Sequence, residues 1–171
     1  MTGTGYSTTD YGSWGSFAIG MFFIVMFLGG CAGSTSCGIK MFRLHVLIVM
    51  TVAQIRRLYQ PHGVFVVRYN SRAVPPSASG SVVSFLFLFL VTFLVLTFAL
   101  SATGLDFITA ASGAGTALAN VGPGLGEIIG PAGTFQPLSD TAKWLLAFGM
   151  LIGRLELFAV LVLLSPGFWR A

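Results

Sequence analysis

The sequence predicts an all-α integral membrane protein, in which membrane-spanning helices alternate with half-length helices and glycine-rich returns. Three observations predict it. Of 171 residues, 55% are hydrophobic and 8% charged, with a mean hydropathy of +0.88, whereas water-soluble domains carry about a quarter charged residues. A soluble fold this short could not hide so much apolar surface. Val82 to Ala102 is apolar throughout, and at about 1.5 Å per residue it reaches about 30 Å, the thickness of the hydrocarbon core. Elsewhere an apolar region is cut by glycines and hydroxyl residues in a way a single lipid-facing helix does not tolerate.

That interrupted region comes first in the chain. Phe17 to Leu28 is long enough for about half a membrane. Gly29-Gly30-Cys31-Ala32-Gly33-Ser34-Thr35-Ser36-Cys37-Gly38 follows, with four glycines and three hydroxyl residues, and disfavours a regular helix. Ile39 to Val52 then resumes a helical pattern carrying Lys40 and Arg43. Non-helical backbone survives at membrane depth only where protein covers it or water bathes it, so a broken helix beside a pore is expected; a helix ending at Leu28 in a surface loop is the alternative. After Val82 to Ala102, the segment Thr103 to Lys143 holds a small-residue stretch, Asp106 to Leu118. It is too short to cross but able to dip in and pack closely. Asp106 suits the positive end of its dipole, and its carbonyl end points toward Asn120-Val121-Gly122-Pro123-Gly124. Trp144 to Ser165 is the last predicted span, interrupted by Arg154 and Glu156 and ended by Pro166 and Gly167. Span, half-helix, glycine-rich return and span form the unit of a re-entrant pore loop.

Charge gives the orientation. Lys40, Arg43, Arg56, Arg57, Arg68 and Arg72 are six of nine basic residues, with no acid between positions 40 and 79. Asp10, Asp106, Glu127 and Asp140 lie across apolar runs from them, so the basic segment is expected to be cytoplasmic. The net charge of +4 therefore reports topology and contact with the lipid bilayer rather than nucleic acid, since no aromatic-interleaved basic face accompanies it. Cys31 and Cys37 are too few and too far apart for a zinc site and read as small, unreactive packing residues. The polar, glycine-rich opening lacks the basic-then-apolar pattern of a signal peptide and is expected to belong to something longer.

An internal repeat joins the two ends. Thr2-Gly3-Thr4-Gly5-Tyr6-Ser7-Thr8 precedes Asp10-Tyr11-Gly12-Ser13-Trp14, and Asn120-Val121-Gly122-Pro123-Gly124 precedes Asp140-Thr141-Ala142-Lys143-Trp144. Both read as a glycine-rich loop, then D-x-x-x-W, then a membrane helix. A cation leaving water needs its hydration shell replaced, and aligned backbone carbonyls do this without fixed charge, as in the TVGYG filter of potassium channels. Thr-Gly-Thr-Gly-Tyr follows the same logic, with glycine permitting the aligning torsions. A flexible tail and a phosphate loop are the rival readings; no strand precedes the segment and no G-x-x-x-x-G-K-[ST] pattern occurs. Arg154, inside an apolar span, is expected to face the protein interior and find acceptors, with the carbonyls of the Gly29–Gly38 break as partners or, alternatively, to clamp helices together. A membrane hydrolase using Ser34 and His45 is the competitor of a different class, but no carboxylate sits near to orient the histidine.

The segments TGTGYST, GGCAGSTSCGIK, NVGPGLGE, AKW, and GRLELF leading to SPGFWR together resemble the TrkH-type subunit of bacterial Trk potassium uptake systems, in the Trk/Ktr/HKT superfamily. The resemblance implies four M1–pore-helix–M2 repeats around one pathway in the bacterial inner membrane, with potassium as substrate and no cofactor. It places one filter segment at Gly3, Thr4, Gly5 and Tyr6, ahead of a broken M2 helix, within 1–79. A complete repeat follows over 80–171, with its filter at Asn120, Val121, Gly122 and Pro123. It makes Gly29, Gly30, Gly33, Ser34 and Gly38 part of an intramembrane gating loop that Arg154 contacts. It implies a homodimer and a cytosolic nucleotide-binding ring protein, TrkA, as partners. The N-terminal repeats are expected to come from outside this sequence, without which two filter segments would be a non-conducting piece.

The orientation is testable with single cysteines in a background lacking Cys31 and Cys37. Glu127→Cys should react with an impermeant maleimide added to intact cells, and Arg68→Cys only after permeabilisation; the reverse pattern would overturn the topology and the repeat scheme.

Overall fold

The computed structural model describes residues 5–31, 33–34, 37–60, 63, 65–66, 68–69, 72–155, 158, 160, 162 and 168–170. Five α-helices dominate: α1 (Ser16–Met26), α2 (Met41–Tyr59), α3 (Pro76–Ser101), α4 (Phe107–Ala119) and α5 (Asp140–Arg154). Two short strands, β1 (Arg68–Tyr69) and β2 (Arg72–Ala73), pair antiparallel between α2 and α3. With only these two-residue strands beside five helices among the described residues, the architecture is all-α as expected. The loop has no long apolar run, and Tyr69 makes edge contacts with Phe42 and His45 of α2 at 4.8 and 5.3 Å between ring centroids.

Helix α3 starts before its apolar run because Pro75 is extended and Pro76 opens the first turn, where the missing N–H costs nothing. Ala78–Ser101 within it is long and apolar enough to cross a membrane, with a mean hydropathy of 2.7. Helix α2 runs to Tyr59, past the expected Val52, since no glycine or proline intervenes before Pro61. Arg56 and Arg57 in its last turn complement the negative end of the dipole.

The expected break between α1 and α2 is present. Leu28 and Ile39 form an isolated parallel bridge; the Gly29 amide donates to the Ile39 carbonyl at 2.9 Å, and the Ile39 amide to the Phe27 carbonyl at 2.9 Å. Parallel pairing means the chain leaves and re-enters in the same direction, so α1 and α2 are two parts of one interrupted path. Phe27 anchors the entry. Its ring meets Phe93 edge-on at 5.3 Å and Phe89 at 6.1 Å, both on α3. A side chain at Gly115 of α4 would strike Met26 and Phe27, at 2.8 and 3.1 Å. Arg43 ties α2 to α3 by placing its guanidinium 3.7 Å from the centroid of the buried Phe85 ring, a favourable cation–π arrangement.

The centre of the molecule is α4. Every residue from Thr109 to Ala119 is buried, and α4 packs chiefly on α5 and α3, with α1 beside it. Glycine and alanine permit this close approach: a Cβ at Gly149 of α5 would lie 2.6 Å from Leu96 and 3.3 Å from Ala117.

The two D-x-x-x-W copies differ in structure. In the first, Asp10 caps a 3-10 turn (Tyr11–Trp14) by accepting from the Gly12 amide, and Gly15 at φ 95° separates that turn from α1. In the second, Ser139 is the cap and Asp140 already belongs to α5. Gly15 has no counterpart after Trp144, so the same pattern is broken once and continuous once. Helix α5 thus begins four residues before the expected Trp144 and runs to Arg154; Glu156 and the Pro166–Gly167 stop lie outside the described residues.

Asp106 caps α4, its carboxylate accepting from the Thr109 amide at 3.2 Å. The Thr109 hydroxyl holds its carboxyl below the usual carboxylate value; burial opposes this, and the backbone amides of Thr109 and Ile108 add to the lowering. Asp106→Ala should cost about 1 kcal/mol, read as a lower thermal unfolding temperature in detergent. With the folded pKa lowered, the stabilisation is present above the unfolded value of about 3.9 and is lost as pH falls through the folded one. Asp106→Asn should keep much of the cap and lose that pH dependence.

Candidate functional site

Thr109, Ser112 and Thr116 are buried polar residues on the otherwise small, apolar α4. At spacings of three and four they share a face of the helix, and that face carries the chain that returns after it. The Ser112 hydroxyl donates to the Leu125 carbonyl at 3.1 Å and accepts from the Leu125 amide at 3.0 Å. The Thr116 hydroxyl accepts from the Gly122 amide at 3.0 Å, and the Thr116 carbonyl from the Val121 amide at 3.2 Å. Buried hydroxyls and amides are costly unless paired, so these bonds define the path of 120–125. Sequence reasoning treated these residues only as small packing groups; the signal was hydroxyls at i, i+3 and i+7 in a helix otherwise free of polar side chains.

Asn120 turns the chain at the C-terminus of α4. It is left-handed, at φ 51° and ψ 45°, a conformation asparagine tolerates better than most residues. Its side-chain amide donates to the Met150 carbonyl at 3.1 Å, which ties the turn to α5. The carbonyl end of α4 therefore lies against the 120–124 segment, presenting the negative end of the dipole.

The structure brings the two predicted filter segments together. A Cβ placed on Gly5 would lie 2.6 Å from the Val121 carbonyl oxygen and 3.1 Å from Pro123, and one on Gly122 would lie 3.3 Å from the Cα of Gly5. Gly5 has φ 77° and Gly122 φ 115°, torsions that side chains disfavour. Both the torsion and the space thus require glycine at this contact. The Tyr11 hydroxyl reaches the Gly124 carbonyl at 3.5 Å; burial and the adjacent Asp10 raise its pKa. A cavity of about 360 Å³ opens beside the junction, lined by Gly5, Tyr6, Thr8, Val121 and Pro123 among others. Tyr6 is 96% exposed, so its side chain takes no part in the packing within this chain. Gly3 and Thr4 lie outside the described residues.

In the break, Gly30 accepts at its carbonyl from the Met41 amide at 3.2 Å, and the Ser34 amide donates to the Cys31 carbonyl at 3.0 Å. Gly29 sits where its own Cβ would be 2.5 Å from the Cys37 carbonyl oxygen, so the two limbs touch backbone to backbone. Gly33 and Gly38 have positive φ. Arg154 does meet this loop: its Nη1 lies 3.5 Å from the Cys37 sulfur. Within this chain Arg154 is exposed, and beside it Gly153 abuts the Leu118 carbonyl. The reading of the cysteines as tight packing residues is corrected here: Cys31 is exposed and Cys37 half-buried, and Cys37 touches the arginine.

A long apolar span beside a buried half-length helix, its return segment held against a second glycine-rich segment, defines a helical membrane protein. The chain belongs to the TrkH cation transport protein family, whose model matches residues 1–170. It is 55% identical over 170 residues to Trk system potassium uptake protein TrkI of Halomonas elongata, covering 99% of this chain and 35% of that protein. It is 38% identical over 170 residues to Trk system potassium uptake protein TrkH of Vibrio parahaemolyticus, covering 99% of this chain and 34% of that one. The crystal structure of the potassium transporter TrkH from Vibrio parahaemolyticus matches with a TM-score of 0.89 and 38% identity, over 98% of this chain and 35% of that chain. The chain thus spans about a third of the length of these relatives. They are named as transporters, not enzymes, and the hydrolase alternative built on Ser34 and His45 is not retained.

Proposed function

We propose that this chain supplies two of the four filter segments, and the gate, of a potassium-conducting membrane subunit. The contact of Gly5 with Val121 and Gly122 carries this reading: two glycine-rich segments distant in sequence converge at the carbonyl end of a buried half-helix. Converging carbonyls beside a negative helix end attract a partly dehydrated cation and still release it. Residues 1–79 end one re-entrant repeat and 80–171 form the next, in a multi-pass protein of the bacterial inner membrane. The remaining filter segments come from further repeats of the same subunit. A homodimer and the cytosolic nucleotide-binding ring protein TrkA are the expected assembly. Potassium is the cargo, and no cofactor is required of this chain.

The gate is the loop between Gly29 and Gly38, which Arg154 holds through contacts that include Cys37. A guanidinium in a low-dielectric setting needs acceptors, and a loop lacking helical partners supplies them. Holding the loop across the pathway favours the closed state, so releasing it shifts the population toward conduction.

Two experiments test these roles in a subunit completed with the N-terminal repeats of a full-length relative. Gly5→Ser and Gly122→Ser force a side chain into a left-handed position at about 1–2 kcal/mol. Rescue of a potassium-uptake-deficient strain should fall about tenfold with membrane abundance unchanged. Undiminished rescue by both would sink the filter role. For the gate, Arg154→Ala and a deletion within Gly29–Gly38 should each raise potassium flux per folded protein in proteoliposomes severalfold. The double variant should gain nothing further, because both changes remove one contact. Reduced flux in Arg154→Ala would instead mark a structural clamp.

A further inference from the structure

Two cavities adjoin where the end of α2, the β-hairpin region and the start of α3 meet. They measure about 720 and 520 Å³, within the range of about 300–1,000 Å³ common for small-molecule sites. Ala53, Phe65 and Val66 line both, so only a thin apolar partition separates them. Arg57 and Gly80 border the first, Arg56 and Arg68 the second. The Arg57 side chain donates to the Phe65 carbonyl at 3.4 Å, which fixes the partition to the end of α2.

Depth, charge and lining point the same way. Gly80 lies in the first turn of the apolar span Ala78–Ser101, so the first cavity opens where hydrocarbon gives way to headgroups. Three guanidinium groups border the pair, and the sequence has no acid from position 41 to 79. Guanidinium matches phosphate with paired hydrogen bonds, while the walls at Ala53, Phe65 and Val66 suit an alkyl chain. Free phosphate would leave those walls unused, and an acidic protein segment would not need a cavity that begins inside the span.

We propose that these cavities bind an anionic phospholipid of the cytoplasmic leaflet, with its phosphate on Arg56 and Arg68 and an acyl chain along Ala53, Phe65 and Val66. The inference rests on the membrane orientation and on neither the filter nor the gate. Native mass spectrometry of the full subunit in detergent tests it with dioleoyl-phosphatidylglycerol, dioleoyl-phosphatidylcholine and inorganic phosphate. The protein should retain phosphatidylglycerol over phosphatidylcholine. Arg56→Gln and Arg68→Gln should each weaken that retention about fivefold; both side chains are exposed, so thermal unfolding should stay unchanged for Arg68→Gln and shift only slightly for Arg56→Gln, which also gives up its interaction with the α2 dipole. Ala53→Phe, which fills the apolar partition and leaves the charges, should weaken retention as well. Equal retention of the two lipids, or an unchanged preference in the variants, would overturn the proposal. Displacement of phosphatidylglycerol by an equal concentration of phosphate would overturn the lipid assignment in favour of a phosphate site. Intact lipid preference in the arginine variants, with loss of capture of the cytosolic partner, would overturn it in favour of a protein interface.

Discussion

Helix α4 is buried from Thr109 to Ala119, and whatever polar groups it carries must find partners inside the protein. Water cannot reach them, and an unpaired buried hydroxyl or amide costs about as much as several net hydrogen bonds contribute. For the hydroxyls of Ser112 and Thr116, the partner is the chain that returns after α4. Ser112 and Thr116 therefore bond Leu125 and Gly122, and Asn120 bonds Met150 on α5. The path of 120–125 follows from that requirement. So does the place where this segment meets Gly5, because the return cannot shift without stranding hydroxyls in an apolar core.

The interrupted path from α1 to α2 solves the same problem differently. Where helical bonding stops, the limbs of the break bond one another through Gly29, Ile39 and Phe27, and the parallel bridge keeps both helices in line. Phe27 then wedges this junction against α3 and α4. At the base of the loop Gly29 and Cys37 meet backbone to backbone, and the Cys37 side chain reaches Arg154.

The cations divide by depth. Arg43 lies on an aromatic face within the helical layer, Arg154 at the end of α5 beside the loop, and Arg56, Arg57 and Arg68 at the end of the span around apolar cavities.

Membrane character, α3, the length of α4 and its Asp106 cap, and the break after Leu28 were all legible in the sequence. Each is a local consequence of hydropathy, capping chemistry or glycine content, and such terms act over a few residues. The D-x-x-x-W pattern was legible ahead of both helices, but not that Gly15 would separate the first copy from α1 while the second runs into α5 without a break. The extension of α2 to Tyr59 was legible in the absence of glycine or proline before Pro61, whereas the short strand pair escaped notice because packing of Tyr69 on Phe42 and His45 is not written in any local pattern. Tertiary structure alone decided that Gly5 abuts Val121 and Gly122, that Ser112 and Thr116 hold the return, and that Arg154 touches Cys37. Those contacts join residues far apart in the chain. They form because burying α4 leaves polar groups whose satisfaction depends on where distant segments pass, and distance along the chain carries no information about that.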